Sequence, residues 1–199
     1  MRDVYVHPHA LCESEHIGEG SCIWAFAHVM EGATIGPRCN IGDHAFIESG
    51  AKIGDGVTIK NGVMVWKGVE VADSVFIGPG VVFTNDLFPR SQRMPSQEGS
   101  RRDEADWLVR TRVEEGVSIG ANATILPGIV LGSYCMIGAG SVVTKDIEPH
   151  RLVTGNPASP AGYVDYDGTR LTEEDGQIVN PQSGMRYRIE NGRLCRVSS

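Results

Sequence analysis

From Ile17 to Phe83 every sixth residue is a branched aliphatic or phenylalanine: Ile17, Ile23, Val29, Ile35, Ile41, Ile47, Ile53, Ile59, Val65, Val71, Ile77 and Phe83. A period of six fits neither an α-helix, at about 3.6, nor an alternating strand, at about 2. A fixed repeat constrains architecture before local propensities do. A second set, four residues after each aliphatic, holds only small or β-branched residues: Ser21, Ala27, Ala33, Cys39, Ala45, Ala51, Val57, Val63, Val69, Val75 and Val81. The pattern predicts short flat strands joined by tight corners. The large set fills the interior, and the small set turns inward where the corner is tight. Three hexads make one triangular coil, which rises by one strand spacing, about 4.8 Å. The expected fold is all-β: a parallel β-helix in which each coil buries its faces only by stacking on the next.

The phase runs back to Leu11 and Tyr5, so residues 4–16 are expected as the opening coil. After Phe83 the period fails. Residues 84–112 are polar and arginine-rich, and a loop of such length inside a compact domain is uncommon and is usually either functional or a disordered excursion. Its defined start at Phe83-Thr84-Asn85-Asp86, its aromatics and its arginines favour function. The repeat resumes with Val113, Ile119, Ile125, Leu131, Ile137 and Val143, partnered by Val117, Ala123, Ile129, Cys135 and Ser141. Gly155-Asn156-Pro157-Ala158 marks its end. The chain thus divides into residues 1–160, a β-helix carrying loop 84–112, and residues 161–199, a small C-terminal β extension. In the extension, Tyr163–Leu171 and Met185–Ile189 read as strands. Asp165-Tyr166-Asp167-Gly168 and Pro181-Gln182-Ser183-Gly184 read as the two knuckles of a ribbon.

A net charge of −7 and a pI near 5.3 argue against a nucleic-acid partner. The five cysteines are odd in number and lack metal-ligand spacing, which fits free thiols in a reducing cytoplasm. No signal peptide or apolar run of membrane-spanning length is evident, so no membrane partner is expected.

Stacking three hexads per coil turns the sequence into a map. Thr84 falls over Trp66, Glu48 and Met30. Asn85 falls over Lys67, Ser49 and Glu31, and Val82 over Met64, Phe46 and His28. The long loop therefore leaves a corner bearing Trp66, Glu48 and Glu31. The outward column His28, Phe46, Met64, Val82 is too apolar for a free surface and reads as a subunit interface.

Several stretches are similar to one known family. They are Ile23-Trp24…His28-Val29, Val65-Trp66, Gly78-Pro79…Phe83-Thr84-Asn85-Asp86-Leu87-Phe88-Pro89-Arg90, Ser118–Ile125, Gly138–Asp146 and Gly155–Ala158. The resemblance, over residues 4–160, is to the left-handed β-helix hexapeptide-repeat acyltransferases. Within these it is to the acetyl-CoA-dependent N-acetyltransferases of nucleotide-linked 3-amino sugars, which serve O-antigen and lipopolysaccharide biosynthesis. It implies a left-handed coil and a homotrimer with sites at its subunit interfaces. It also implies that Asn85 hydrogen-bonds and orients the amine that attacks the thioester. Glu31, Glu48, Trp66, Asp86 and Arg90 are expected around the sugar nucleotide. Arg93, Arg101 and Arg102 are further loop cations, or solvated charges. The backbone at Ala121, Ala139 and Pro157 is expected to meet CoA. Lys145 and Arg151 are candidates for its phosphates, or ordinary surface charges. His28 is the rival base, since an unperturbed histidine titrates near neutral pH, or an interface residue. A backbone N–H is the expected oxyanion donor.

Two substrates fit the resemblance. The ribbon-like tail and His28 favour a UDP-linked 2-acetamido-3-amino uronate over a dTDP-linked 3-amino-3,6-dideoxyhexose. Some relatives carry cysteine pairs at the knuckles; without thiolates here, no structural zinc is expected. Two other classes stay open: a non-catalytic β-helix scaffold, and a metal-dependent hydratase of the carbonic anhydrase kind. The hydratase needs three histidine ligands, and His7, His9, His16, His28, His44 and His150 form no convincing set.

Overall fold

A computed structural model describes residues 3–91, 103–174, 176–190 and 193–197; Arg93, Arg101 and Arg102 lie outside the described residues. The chain winds through about eight turns of a three-faced solenoid. Two-residue strands alternate among the faces, giving sheets of nine, seven and five strands, here called the first, second and third faces. Neighbouring coils pair in parallel at the expected interval: Cys22 with Asn40 on the first face, His28 with Phe46 on the second, Thr34 with Lys52 on the third.

The six-residue pattern explains this directly. The large set from Ile23 to Phe83, and again from Val113 to Val143, is at most 4% exposed. The small set is equally buried. Each corner then needs a residue with positive φ, usually glycine, such as Gly62 (φ 69°) and Gly80 (φ 68°). Phe26 (φ 60°) and His44 (φ 59°) occupy the same kind of position.

The opening coil differs from the expected phase. Tyr5 pairs with Cys22, Val6 with Ile23, Leu11 with His28 and Cys12 with Val29. This coil is one residue short, so Val6 and Cys12 take the register of the inward Ile23 and Val29 while Tyr5 and Leu11 take the outward one; at the open end of the coil Val6 is still 41% exposed. Ser14 accommodates the shortening at the next corner. Its buried hydroxyl donates to the Ala33 carbonyl and accepts from the His16 N–H.

Across the loop, pairing partners are 42 residues apart: Glu70 with Arg112 and Val82 with Thr124. The insertion therefore amounts to four hexads, and the inward phase survives it. The third face resumes at Thr111, two residues before the aliphatic that marks it in the sequence.

At the far end Arg151–Thr154 pairs antiparallel with Ser159–Tyr163, which closes the first face and spans the expected boundary at 160/161. Tyr163–Leu171 is not one strand. A turn interrupts it, closed by the Asp165 N–H to the Thr169 carbonyl and the Gly168 N–H to the Asp165 carbonyl. Four antiparallel strands follow, Thr172–Glu174, Gln177–Val179, Arg186–Glu190 and Arg193–Arg196, around a small core of Leu171, Tyr187 and Leu194. Arg186–Glu190 overlaps the expected strand Met185–Ile189; the other three lack the alternation that would have exposed them in the sequence.

The first knuckle meets not the second itself but the residues on either side of it, with Asn180 Oδ1 in turn accepting the Gln182 and Ser183 N–H groups. The buried Asp165 carboxylate accepts from Asn180 Nδ2 at 2.6 Å and from Tyr187 Oη at 2.8 Å. A hydrogen-bonded knot thus joins them. Among the described residues no group of three or more His, Cys, Asp or Glu could hold a metal ion. Burial is the strongest single influence on Asp165 and raises its pKa. The donors Asn180 and Tyr187 together outweigh it, so the carboxyl lies below its ordinary value. Burial first, then the charged neighbour, pushes Tyr187 up to about 12.

His150 links this tail to the coil. Buried, it stacks on Tyr134 (5.3 Å), meets the edge of Tyr166 (4.5 Å) and places Nδ1 3.1 Å from the Val164 carbonyl. Burial lowers its pKa below the ordinary 6.5, against the opposing pull of the Val164 carbonyl and Asp165. The folded state therefore favours the neutral ring. Its contribution to stability is complete above pH 6.5 and is lost as the pH falls below that value. Amide exchange at Leu171, corrected for intrinsic rate, should accelerate on going from pH 7.5 to pH 5 while Ile59 does not change. In His150→Asn, which suits the positive φ of 58°, that acceleration should vanish.

Candidate active site at the loop-bearing corner

The loop leaves the corner between the second and third faces, directly above Trp66 and Lys67. Its first and last residues form a neck. The Val109 N–H donates to the Asn85 carbonyl at 2.9 Å, and Asp86 and Leu108 form an antiparallel bridge. Thr84 Oγ1 donates upward to the Ile125 carbonyl. The returning limb lies along a column of corner glycines. A β-carbon on Gly68 (φ 84°) would sit 2.9 Å from Leu108 Cδ1, and one on Gly128 (φ 82°) 2.9 Å from Val109 Cγ1. Lys67 pairs with Glu104 of the same limb.

The neck fixes Asn85. Half-buried, it donates Nδ2–H to the Lys67 carbonyl at 3.1 Å. This bond settles which end of the amide faces the coil. It leaves Oδ1, to which no described residue donates, as an acceptor for a ligand N–H.

The other expected substrate residues separate into two groups. Glu48 sits beneath Trp66, where its carboxylate accepts the Lys67 N–H at 2.7 Å; it ties two coils together and supports the chain segment that holds Asn85. Trp66 packs on the core and against the Phe46 ring at 5.4 Å, so it forms part of the wall under the loop. Asp86 closes the turn after the neck by accepting the Phe88 N–H at 2.9 Å. Arg90 is exposed and donates to the Pro89 carbonyl beside it. Glu31 is exposed at the foot of the Asn85 column.

His28 does not meet Asn85 within one chain. It lies on the second face three coils below, roughly 14 Å away along the axis at one strand spacing per coil. There it approaches Glu13 Oε2 at 3.1 Å and stands edge-on to Phe46. Around it runs the apolar column Leu11, Phe46, Met64, Val82, with Met64 40% and Val82 38% exposed.

The residues expected to meet CoA also spread over the prism. Ala121 and Ala139 stack on the corner between the first and second faces, and neither N–H has a backbone acceptor among the described residues. Gly120 allows this packing; a β-carbon there would lie 2.5 Å from the Ala139 nitrogen. Lys145 stands on the loop-bearing corner, two coils above Asn85, and is exposed. Arg151, at the edge of the first face, lies 4.4 Å over the Tyr163 ring. Pro157 is exposed beyond the last coil.

Glu104, Leu108 and Val109 were not singled out in the sequence, and Lys67 only as the residue beneath Asn85. The signal that could have revealed the seat of the returning limb is the recurrence of Gly32, Gly50, Gly68 and Gly128 in one column.

Residues 16–49, 50–85 and 110–145 match the family described as bacterial transferase hexapeptide (six repeats). The chain belongs to this family. Its coil is accordingly the left-handed β-helix. The gap between the second and third matched segments coincides with the loop and its neck. Over 88 residues the chain is 47% identical to dTDP-3-amino-3,6-dideoxy-alpha-D-galactopyranose 3-N-acetyltransferase of Aneurinibacillus thermoaerophilus, covering 44% of this chain and 45% of that protein. It is 37% identical to serine acetyltransferase 4 of Arabidopsis thaliana over 84 residues, 40% of this chain and 24% of that one. The chain thus spans less than half the length of these curated relatives. The hexapeptide transferase fold is shared with a GDP-perosamine N-acetyltransferase of Caulobacter crescentus. There the TM-score is 0.53 at 21% identity, covering 81% of this chain and 57% of that one.

Proposed function

We propose that this chain is an N-acetyltransferase moving an acetyl group from acetyl-CoA to the 3-amino group of a nucleotide-linked sugar. The observation that carries this reading is Asn85: a side-chain amide seated by the loop neck and the Lys67 carbonyl, with its acceptor oxygen presented to a ligand. A neutral amine that donates one N–H to Oδ1 keeps its lone pair free to aim at the thioester carbonyl carbon. Positioning of this kind can remove several kcal/mol from the barrier. An amide is no base, so the proton leaves eventually with the CoA thiolate. The backbone N–H groups of Ala121 and Ala139 are available for CoA.

One chain divides these groups between the two corners that flank the second face. A cyclic threefold assembly buried on that face would set one corner of each copy beside the other corner of its neighbour. The apolar column from Leu11 to Val82 supports this homotrimer. On this reading the β-helix with its loop carries the chemistry, and the antiparallel strands from Thr172 onward form a β extension docked on the last coil through His150 and Tyr166.

For the sugar, the tail and His28 favour a UDP-linked 3-amino uronate. The half-length identity to a dTDP-3-amino-3,6-dideoxyhexose enzyme favours the second type. CoA release measured with each purified nucleotide amino sugar separates them; transfer to neither would defeat the reading. Failure to bind CoA would leave a scaffold, and turnover sensitive to chelators would indicate a hydratase.

A further inference from the structure

The corner between the first and second faces carries a column of residues linked coil to coil by backbone bonds. The Phe26 N–H donates to the His9 carbonyl, His44 to Ala25, Gly62 to Asp43, Gly80 to Asn61 and Asn122 to Pro79. Its lower part is an aromatic ladder. His9 stacks on Phe26 (5.6 Å, 4° between planes), and Phe26 on His44 (5.0 Å, 13°). All three rings are exposed, Phe26 by 56%. Both Phe26 and His44 hold positive φ, where the same column higher up uses Gly62, Gly80 and Asn122, so two large planar side chains stand in a backbone conformation that disfavours them.

The ladder stops abruptly. One coil above His44 comes Gly62, and nothing lies within 4 Å of the place its β-carbon would occupy. The next residue up, Gly80, has no side chain to lean over it. The contrast is with the corner between the third and first faces, where Tyr134 and His150 stack in the same manner and Tyr166 from the tail covers both. The His44 ladder ends on an open shelf. Two residues before Gly62, Lys60 is exposed and has no ion pair among the described residues.

We propose that the free face of His44, over the Gly62 shelf, is the stacking site for the pyrimidine base of the nucleotide, with Lys60 near its diphosphate. The proposal rests on the nucleotide-sugar reading above and extends it. The order along the axis suits a single extended ternary complex. The shelf lies on the coil below Asn85, and Ala121 and Ala139 lie on the two coils above it. Base, amine and pantetheine arm would follow one another along the groove. Stacking of a base on an aromatic side chain contributes enough to change affinity roughly tenfold or more.

Calorimetry with UDP, dTDP and inorganic pyrophosphate tests the site on the full chain. UDP or dTDP should bind at least about tenfold more tightly than pyrophosphate. His44→Asn, with an asparagine that fits this corner as Asn122 does (φ 57°), should cost most of that difference. Gly62→Phe, which extends the ladder into the shelf, should abolish it. CoA affinity should stay constant in both variants. The site is overturned if pyrophosphate binds as well as the nucleotides, if neither nucleotide binds, or if both variants bind them as wild type does. Acetyl transfer is measured separately. Transfer that continues with an unchanged KM for the nucleotide sugar in both variants defeats the base site and leaves the activity. Nucleotide binding lost in both variants, in a chain that transfers no acetyl group, defeats the activity and leaves the site.

Discussion

Asn85→Ala is expected to lower kcat for acetyl transfer about a hundredfold, with KM and melting temperature nearly unchanged. The side chain is half-buried and, among the described residues, makes one hydrogen bond, to the Lys67 carbonyl, so the fold loses little without it. The amine loses the acceptor that orients it, which acts on the chemical step. His28→Asn is the comparison. His28 lies three coils below Asn85, beside Glu13 and Phe46, and a residue acting there within the apolar column should cost less than about tenfold. A general base would show itself differently, as a loss of about 10²–10⁴ together with a changed pH profile. If His28→Asn abolished transfer with folding and assembly state unchanged from wild type while Asn85→Ala remained active, the two roles would be exchanged.

Phe83→Ala should be the most damaging single change in the prism, about 3–5 kcal/mol. Phe83 is the largest of the fully buried side chains and the sole aromatic of the inward set. It lies between the coil level of Val65 and that of Ile125, and its ring fills space that a shorter side chain would leave empty. The coils above and below are tied by backbone bonds on every face, which limits collapse into the cavity. A fall in melting temperature of roughly 10 °C is expected for a chain of this size. The damage should extend to catalysis, since Thr84 and Asn85 follow directly. Phe83→Leu keeps much of the volume and should cost roughly half as much on both counts. Equal melting temperatures for Phe83→Ala and wild type would show that this layer is not close-packed.

The coil was legible because its period couples every inward position to one of two size classes. Ile23, Cys39 and Val81 could each be placed before any coordinate existed. The loop could be located by the same rule, as the place where the rule fails. Three things escaped. The opening coil shifted by one residue, because Tyr5 and Leu11 satisfy the pattern as well as Val6 and Cys12 do, and a one-residue slip leaves no mark in hydrophobicity alone. The tail's additional strands, Thr172–Glu174, Gln177–Val179 and Arg193–Arg196, escaped because none of them strictly alternates polar and apolar residues, whereas Arg186–Glu190 does alternate and was legible. At the site, the map placed Asn85 over Lys67, but the bond that turns the amide outward depends on where Leu108 and Val109 return. That is a contact between sequence-distant segments, and local pattern does not encode it.

The neck that pairs Asn85 with Val109 and Asp86 with Leu108 makes the long loop an exchangeable cartridge on a fixed socket. The two limbs are joined before they part from the coil, and the insertion preserves the phase of the strands above it. A change beyond the neck leaves untouched the bonds that hold the Asn85 amide, the interior and the upper coils in place. A scaffold of this design can change which molecule it accepts without reinventing how it acts.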